Sequence, residues 1–227
     1  MGAITAIAGH NLSLISLFIK EKNEAGGIFY GDFGSKAREG YRVQTLMELI
    51  RARRSVRRFT EQPVERAVLQ QCVEAARLAP SAENVQPWRF LIVDDPAVKA
   101  QLAAGAFTGL YRATRWAEKA PVLVVLFAEL DILANRLGKG MTGIPYYLID
   151  TGIAGEHFCL QAAELGLGTC WIGWFSPDGL RRALGVPRRL RPVAIFAVGY
   201  SAHTNTPEKK RRLAAEICWF NAIGRSA

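Results

Sequence analysis

Three permanent cations and a hydroxyl stand together in Arg53-Arg54-Ser55-Val56-Arg57. A guanidinium keeps its charge at any physiological pH, and its planar fork of donors matches phosphate oxygens. Anion binding is one reading of the cluster, and neutralising the negative end of a helix is the other. A second group of polar side chains lies in Pro80-Ser81-Ala82-Glu83-Asn84-Val85-Gln86-Pro87-Trp88. Ser81, Asn84 and Gln86 offer directed donors and acceptors that can read the edge of a planar heterocycle, and the two prolines stiffen their backbone. An ordinary helix-to-strand loop carrying a core tryptophan is the alternative for this segment.

The elements that position these residues follow from capping signals and periodicity. Thr45 with Glu48 makes a capping box ahead of Leu46, Leu49 and Ile50, so a helix runs from Thr45 to about Arg53 and sets the arginines at its C-terminus. Pro63 is expected at the N1 position of a second helix that runs to about Leu78 and is stopped by Pro80. Residues 88–93 read as a strand, Asp95-Pro96 as the entry to a short helix, and residues 121–128 as a strand buried on both faces. Residues 131–145 read as a loop. Residues 146–165 form a helix apolar nearly all round, suited to a core or a subunit interface. Gly166 and Gly168 end that helix, and residues 169–173 read as a strand. A short helix from Ser176-Pro177 to Gly185 and a buried strand over residues 192–199 follow, then a basic tail that becomes amphipathic up to Phe220. Mixed helices and strands leave the class as α/β or α+β.

The 227 residues carry a net charge of +9 and are 50% apolar, enough for a sizeable core. The excess charge sits in three clusters: Arg51, Arg53, Arg54, Arg57 and Arg58; Arg181, Arg182, Arg188, Arg189 and Arg191; and Lys209, Lys210, Arg211 and Arg212. Such a balance favours anionic partners. No nucleic-acid-binding module accompanies the clusters, so no nucleic-acid partner is expected. Cys72, Cys159, Cys170 and Cys218 form no CxxC pair, and His10, His157 and His203 form no HExxH, so no metal site is expected. Scattered cysteines read as reduced thiols in a reducing, cytoplasmic setting. GxGxxG, Walker A and GxSxG signatures are absent. Residues 1–19 lack the basic start of a signal peptide, and His10 and Asn11 interrupt them, so no membrane segment is expected. Residues 1–44 read as an extension and linker ahead of a domain spanning 45–227.

Four segments together resemble the FMN-dependent nitroreductase family. They are Arg53 to Arg57, Pro80-Ser81 with Gln86-Pro87-Trp88, Leu165-Gly166-Leu167-Gly168-Thr169-Cys170-Trp171-Ile172-Gly173, and residues 207–211, in the family's order and spacing over about residues 45–222. The resemblance implies an α+β fold of three layers, α/β/α, around a mixed, mainly antiparallel sheet. It also implies an intertwined homodimer with FMN at the subunit interface. By the same resemblance Arg53 meets the FMN phosphate, with Arg54 and Ser55 near the ribityl chain and ring, and Arg57 near N1 and the C2 carbonyl. Pro80, Ser81, Ala82, Asn84 and Gln86 approach from the partner chain or the ring face. Trp171, Ile172 and Gly173 pass the dimethylbenzene side and N5, and Lys209 and Arg211 return to the phosphate. The implied activity moves hydride from NAD(P)H through flavin N5 to a nitroaromatic, quinone or similar small acceptor, with no catalytic side chain required.

The chain departs from the family's better-known members in three places. It is short between Gly109 and Ala120, with no match for the polar residues that help hold their flavin. Gly173 replaces an acidic residue, and residues 131–147 show no charged substrate clamp. The departures leave open other chemistry of the same family: flavin-consuming synthesis of dimethylbenzimidazole, reductive dehalogenation or substrate dehydrogenation. Outside enzymes, a basic nucleic-acid-binding protein is the alternative.

Overall fold

A computed structural model of the chain describes residues 45–130, 143–203 and 209–224. The expected extension over residues 1–44, most of the loop over 131–145, and Pro207 lie outside the described residues. Helix α1 (Leu46–Ala52) starts at the expected capping box: Glu48 N–H donates to Thr45 Oγ1 at 3.3 Å, and Thr45 N–H donates to Glu48 Oε2 at 2.8 Å. Helix α2 (Arg66–Arg77) begins three residues later than Pro63 predicts, with Glu65 as N-cap. Val64 precedes that cap and is buried in the same cluster as Leu69. This is the spacing of a hydrophobic staple, which keeps the chain extended until Val64 has reached the core and so overrides the proline signal.

Strand β1 (Trp88–Val93), helix α3 (Pro96–Ala106), 3-10 turns over Gly109–Lys119 and strand β2 (Val122–Glu129) follow. Helix α4 (Tyr146–Glu164), strand β3 (Gly168–Ile172), helix α5 (Pro177–Leu184) and strand β4 (Leu190–Gly199) complete the frame. The sheet has the order β1-β2-β4-β3, with every neighbouring pair antiparallel. Among the described residues the parallel element is a single bridge, Ser55 to Thr169. Strand β2 explains the three layers. Val122, Val124 and Leu126 face a core with Leu69, Cys72 and Phe158 from α2 and α4. Leu123, Val125 and Phe127 face a second core with Leu102, Phe107 and Leu180 on the side of α3 and α5. The period-two alternation of a strand with both faces covered thus divides one apolar run between two cores.

Helix α4 is buried along one face. Its buried residues, Tyr147, Asp150, Thr151, Ala154, Gly155, Phe158, Cys159 and Ala162, recur at helical spacing on one face, while Leu148 and Ile149 are exposed. Gly155 lets the helix press onto β3, because a Cβ there would collide with the Trp171 indole. That indole is in turn packed on Phe196, with ring centroids 4.5 Å apart. Beyond β4 the expected amphipathic tail is a single 3-10 turn, Ala214–Glu216, with Leu213, Ile217, Trp219, Phe220 and Ile223 exposed. Among the described residues these apolar side chains are left exposed, and short helices are marginal without packing.

The loop between α2 and β1 holds Glu83, Asn84 and Gln86 in the left-handed region, at φ 50°, 53° and 49°. Each such non-glycine residue costs on the order of 1–3 kcal/mol, which surrounding contacts must offset. Ser81 Oγ accepts from Gln86 N–H at 2.9 Å, and buried Asp150 on α4 accepts from Ala82 N–H through Oδ1 at 3.1 Å. Asp150 Oδ2 is buried with no hydrogen-bond partner among the described residues, and burial raises this carboxyl above the ordinary carboxylate range.

Two stability predictions arise here. Ionising Asp150 opposes folding increasingly as pH rises above the ordinary Asp value of about 4. Asp150→Asn, which keeps the acceptor for Ala82, is expected to be more stable than wild type at neutral pH, with the advantage vanishing below about pH 4. Asp150→Ala strands the Ala82 N–H and is expected to lose about 1 kcal/mol or more. Urea titrations between pH 4 and 8 check both. On the same helix, Gly152 has open space where Gly155 does not. Gly152→Ala and Gly155→Ala gain the same helix propensity, so denaturant unfolding is expected to rank Gly155→Ala below Gly152→Ala by about 1–3 kcal/mol, the overpacking cost.

Candidate functional site

The arginine cluster lies where α1 gives way to extended chain. Arg53 is the C-cap of α1, with φ −53° and ψ 129°, and its N–H bonds back to the Leu49 carbonyl. The chain then runs alongside β3: Ser55 bridges Thr169, and Val56 N–H donates to the Thr169 carbonyl at 2.9 Å. Gly168 permits this approach, since a Cβ there would sit 2.6 Å from a Val56 methyl. Ser55 and Arg57 are exposed, and Arg54 is half-buried.

Lys209 closes the group from the far end of the chain. Its Nζ donates to the Ile50 carbonyl in the last turn of α1 at 2.6 Å. The helix end is thus capped by this lysine, with Arg51 as the basic residue of the same turn, and Arg53 is turned elsewhere. Lys209 is held below the ordinary lysine range by desolvation first, and then by repulsion from Arg53, Arg54 and Arg211. Four cations from two segments therefore share one patch. Arg53 Nε lies 3.2 Å from Glu156 Oε1 on α4, with the Arg53 side chain only 16% exposed. Glu156 eases the repulsion on Lys209 as well. Cations gathered this closely, beside the Ser55 hydroxyl, fit a phosphate dianion, which offers charge and several acceptor oxygens at once.

Arg57 lies over Trp116, with its guanidinium carbon 6.0 Å from the centroid of the ring. Cys170, buried under the segment, has its thiol raised by burial against the opposing pull of Arg57 and Arg53. At the end of β3, Ile172 is buried in the core on the α3 side, and the Trp171 indole is turned to α4, so neither side chain is free. Gly173 is exposed, with open space where a Cβ would stand. Trp174, 57% exposed, donates from Nε1 to the Leu110 carbonyl at 3.0 Å and packs against Tyr111, with tilted rings 5.3 Å apart. The segment over 109–119, which offers no polar match to the family, thus supplies Tyr111 and Trp116 beside the residues expected to bind.

In the 80–87 loop, Pro80, Asn84 and Gln86 are exposed, and Gln86 Nε2 donates to Asn84 Oδ1 at 3.1 Å. Among the described residues no hydrogen bond or ion pair joins this loop to the cation patch. Each is tied to α4 separately: Ala82 at Asp150, and Arg53 at Glu156. Sequence reading passed over Glu156, Asp150 and Trp116. The first two left a legible trace, as acidic residues inside an otherwise apolar helix.

Comparison with known proteins identifies the family. The nitroreductase family model matches residues 50–200. A protein of Thermus thermophilus named NADH dehydrogenase is 29% identical over 74% of this chain and 92% of its own length. A 5,6-dimethylbenzimidazole synthase of Rhodobacter capsulatus is 31% identical over 70% of this chain and 85% of its own. Among solved structures, an FMN-dependent nitroreductase of Clostridium difficile superposes with a TM-score of 0.65 at 27% identity, over 78% of this chain and 99% of that one. The sheet order, the three layers and the matched segments have one common explanation: the chain belongs to the nitroreductase family.

Proposed function

We propose that the protein is an FMN-dependent oxidoreductase that takes hydride from NADH or NADPH and delivers it to a small acceptor such as a nitroaromatic or quinone. The observation that carries this reading is the meeting of two cationic segments: Lys209, two residues before Arg211, bonds to the Ile50 carbonyl at the end of the helix that Arg53 caps, beside Arg54 and Ser55, a donor set suited to the FMN phosphate. The relatives named above, one of them FMN-dependent by its description, support it. When bound, FMN supplies the redox chemistry, accepting hydride and passing it on. The chain's own residues bind and orient. Arg57, near the ring, stabilises negative charge on the reduced form. Gly173, with no side chain and open space around it, leaves room for donor and acceptor in turn. Residues 81–86 present their strained backbone and the Asn84 and Gln86 amides to the ring edge.

A homodimer belongs to the same reading. The 80–87 loop and the cation patch are hung separately on α4, and the tail side chains Leu213, Ile217, Trp219, Phe220 and Ile223 are exposed in the single chain. A second copy would cover the tail and bring the loop of one chain to the patch of the other. Residues 45–227 form the catalytic domain, and residues 1–44 an extension. Among the described residues no helix is long and apolar enough to cross a membrane. The free, exposed Cys218 fits a reducing cytoplasm. The Rhodobacter capsulatus relative favours a second reading, in which the reduced cofactor is itself consumed in the presence of oxygen.

The purified protein is expected to be yellow, with about one FMN per chain. Anaerobic addition of NADH or NADPH is expected to bleach the flavin band, and a band unchanged by both would overturn the reading. Readmission of oxygen separates the two readings: recovery of the full band supports the reductase, and loss of flavin supports the synthase. Arg53→Ala removes a charge-assisted contact worth about 1.5–3 kcal/mol, so the FMN Kd is expected to rise roughly tenfold or more in equilibrium dialysis.

A further inference from the structure

Helix α4 carries one carboxylate into a patch otherwise made of cations. Among the described residues Glu156 is the only acid within ion-pair distance of Arg53, at 3.2 Å from Nε. The pairing is uneven: the Arg53 side chain is 16% exposed and the Glu156 side chain 46%. A guanidinium so shielded cannot exchange its partner freely for water, which sets this pair apart from an ordinary surface ion pair. The closest approach of Glu156 is to Nε, which leaves the Nη end of the fork for a ligand. The carboxylate is held on a rigid support, because Ala154 and Gly155 pack into the core and onto Trp171 beside it.

We propose that Glu156 is a positioning residue for the phosphate site: its carboxylate fixes Arg53 by the Nε side, turns the Nη fork outward and limits how tightly the patch holds a dianion. This inference rests on the FMN reading above. Four cations with one carboxylate leave three positive charges in the patch, so a bound phosphate dianion still leaves a net positive site. Without Glu156 the patch would carry four. The field of Glu156 also reaches Lys209, where it opposes the repulsion from Arg53, Arg54 and Arg211. One side chain thus acts on both cationic segments, orienting the first and moderating the second.

Two substitutions separate orientation from charge. Glu156→Gln keeps an acceptor beside Arg53 Nε and removes the negative charge, whereas Glu156→Ala removes both. The probe is equilibrium titration of the exhaustively dialysed, full-length protein with FMN and, separately, with riboflavin, which lacks the phosphate. Glu156→Gln is expected to bind FMN roughly fivefold more tightly than wild type, with the gain shrinking as salt is raised. Its riboflavin affinity is expected to be unchanged. Glu156→Ala is expected to bind FMN more weakly than Glu156→Gln, because Arg53 is no longer oriented. Equal FMN affinity in the two variants overturns the orienting role, and wild-type FMN affinity in both overturns the inference altogether. A parallel change in riboflavin binding also overturns it, since that would mark a general structural role. A wild-type chain that binds neither flavin overturns the FMN reading together with the inference. Wild-type FMN binding with unresponsive variants overturns the inference alone.

Discussion

The close seating of helix α4 on the sheet is the constraint on which the candidate site depends. Gly155 has no side chain, so α4 reaches the Trp171 indole, and that indole is wedged on Phe196 of the central strand β4. Close-packed interiors transmit such constraints with little give. Two acids ride on the seated helix. Asp150 holds the left-handed loop between α2 and β1, and Glu156 holds Arg53 at the end of α1. A shift of α4 would therefore displace both polar segments that the family resemblance assigns to cofactor binding.

The second organising fact is electrostatic. Bringing Arg53, Arg54, Lys209 and Arg211 together is unfavourable in the protein alone: Lys209 is lowered first by desolvation and then by repulsion from the three arginines. Three features of the fold offset the repulsion. The Ile50 carbonyl at the negative end of α1 accepts from Lys209, Glu156 faces Arg53, and the patch stays partly open to water. A phosphate dianion would relieve the remainder, which is the usual physical signature of a site held ready for a ligand. The strain in residues 83–86 has the same character. Left-handed backbone at Glu83 and Gln86 opposes folding, and persists because Asp150 and Ser81 hold the loop on either side.

Much of the frame was legible along the chain. The capping box at Thr45, the apolar run of β2, Ser176-Pro177 and the left-handed Gly185 each act within a few residues, so their sequence signals appear unchanged in the structure. Pro63 misled because the burial of Val64, a tertiary event, outweighed a local preference. In the tail the amphipathic pattern is present, but among the described residues it forms one 3-10 turn with its large apolar side chains exposed. Glu156 shows along the chain only as an acid within an apolar helix, and nothing local distinguishes Trp116. Each acquires its meaning from an arginine more than fifty residues away.

What the sequence determined by itself is the supply of chemical groups: a dense guanidinium cluster, a polar loop stiffened by prolines, and a basic tail, in an order shared with one family. Those are properties of residue type and short spacing. The tertiary structure alone decided their pairing. It set Lys209 on the end of α1, turned Arg57 toward Trp116 and Arg53 toward Glu156, and kept the loop and the patch apart on one helix. Pairing depends on which backbones can approach, and here that was decided by missing side chains at Gly155 and Gly168 as much as by the charges they allow to meet.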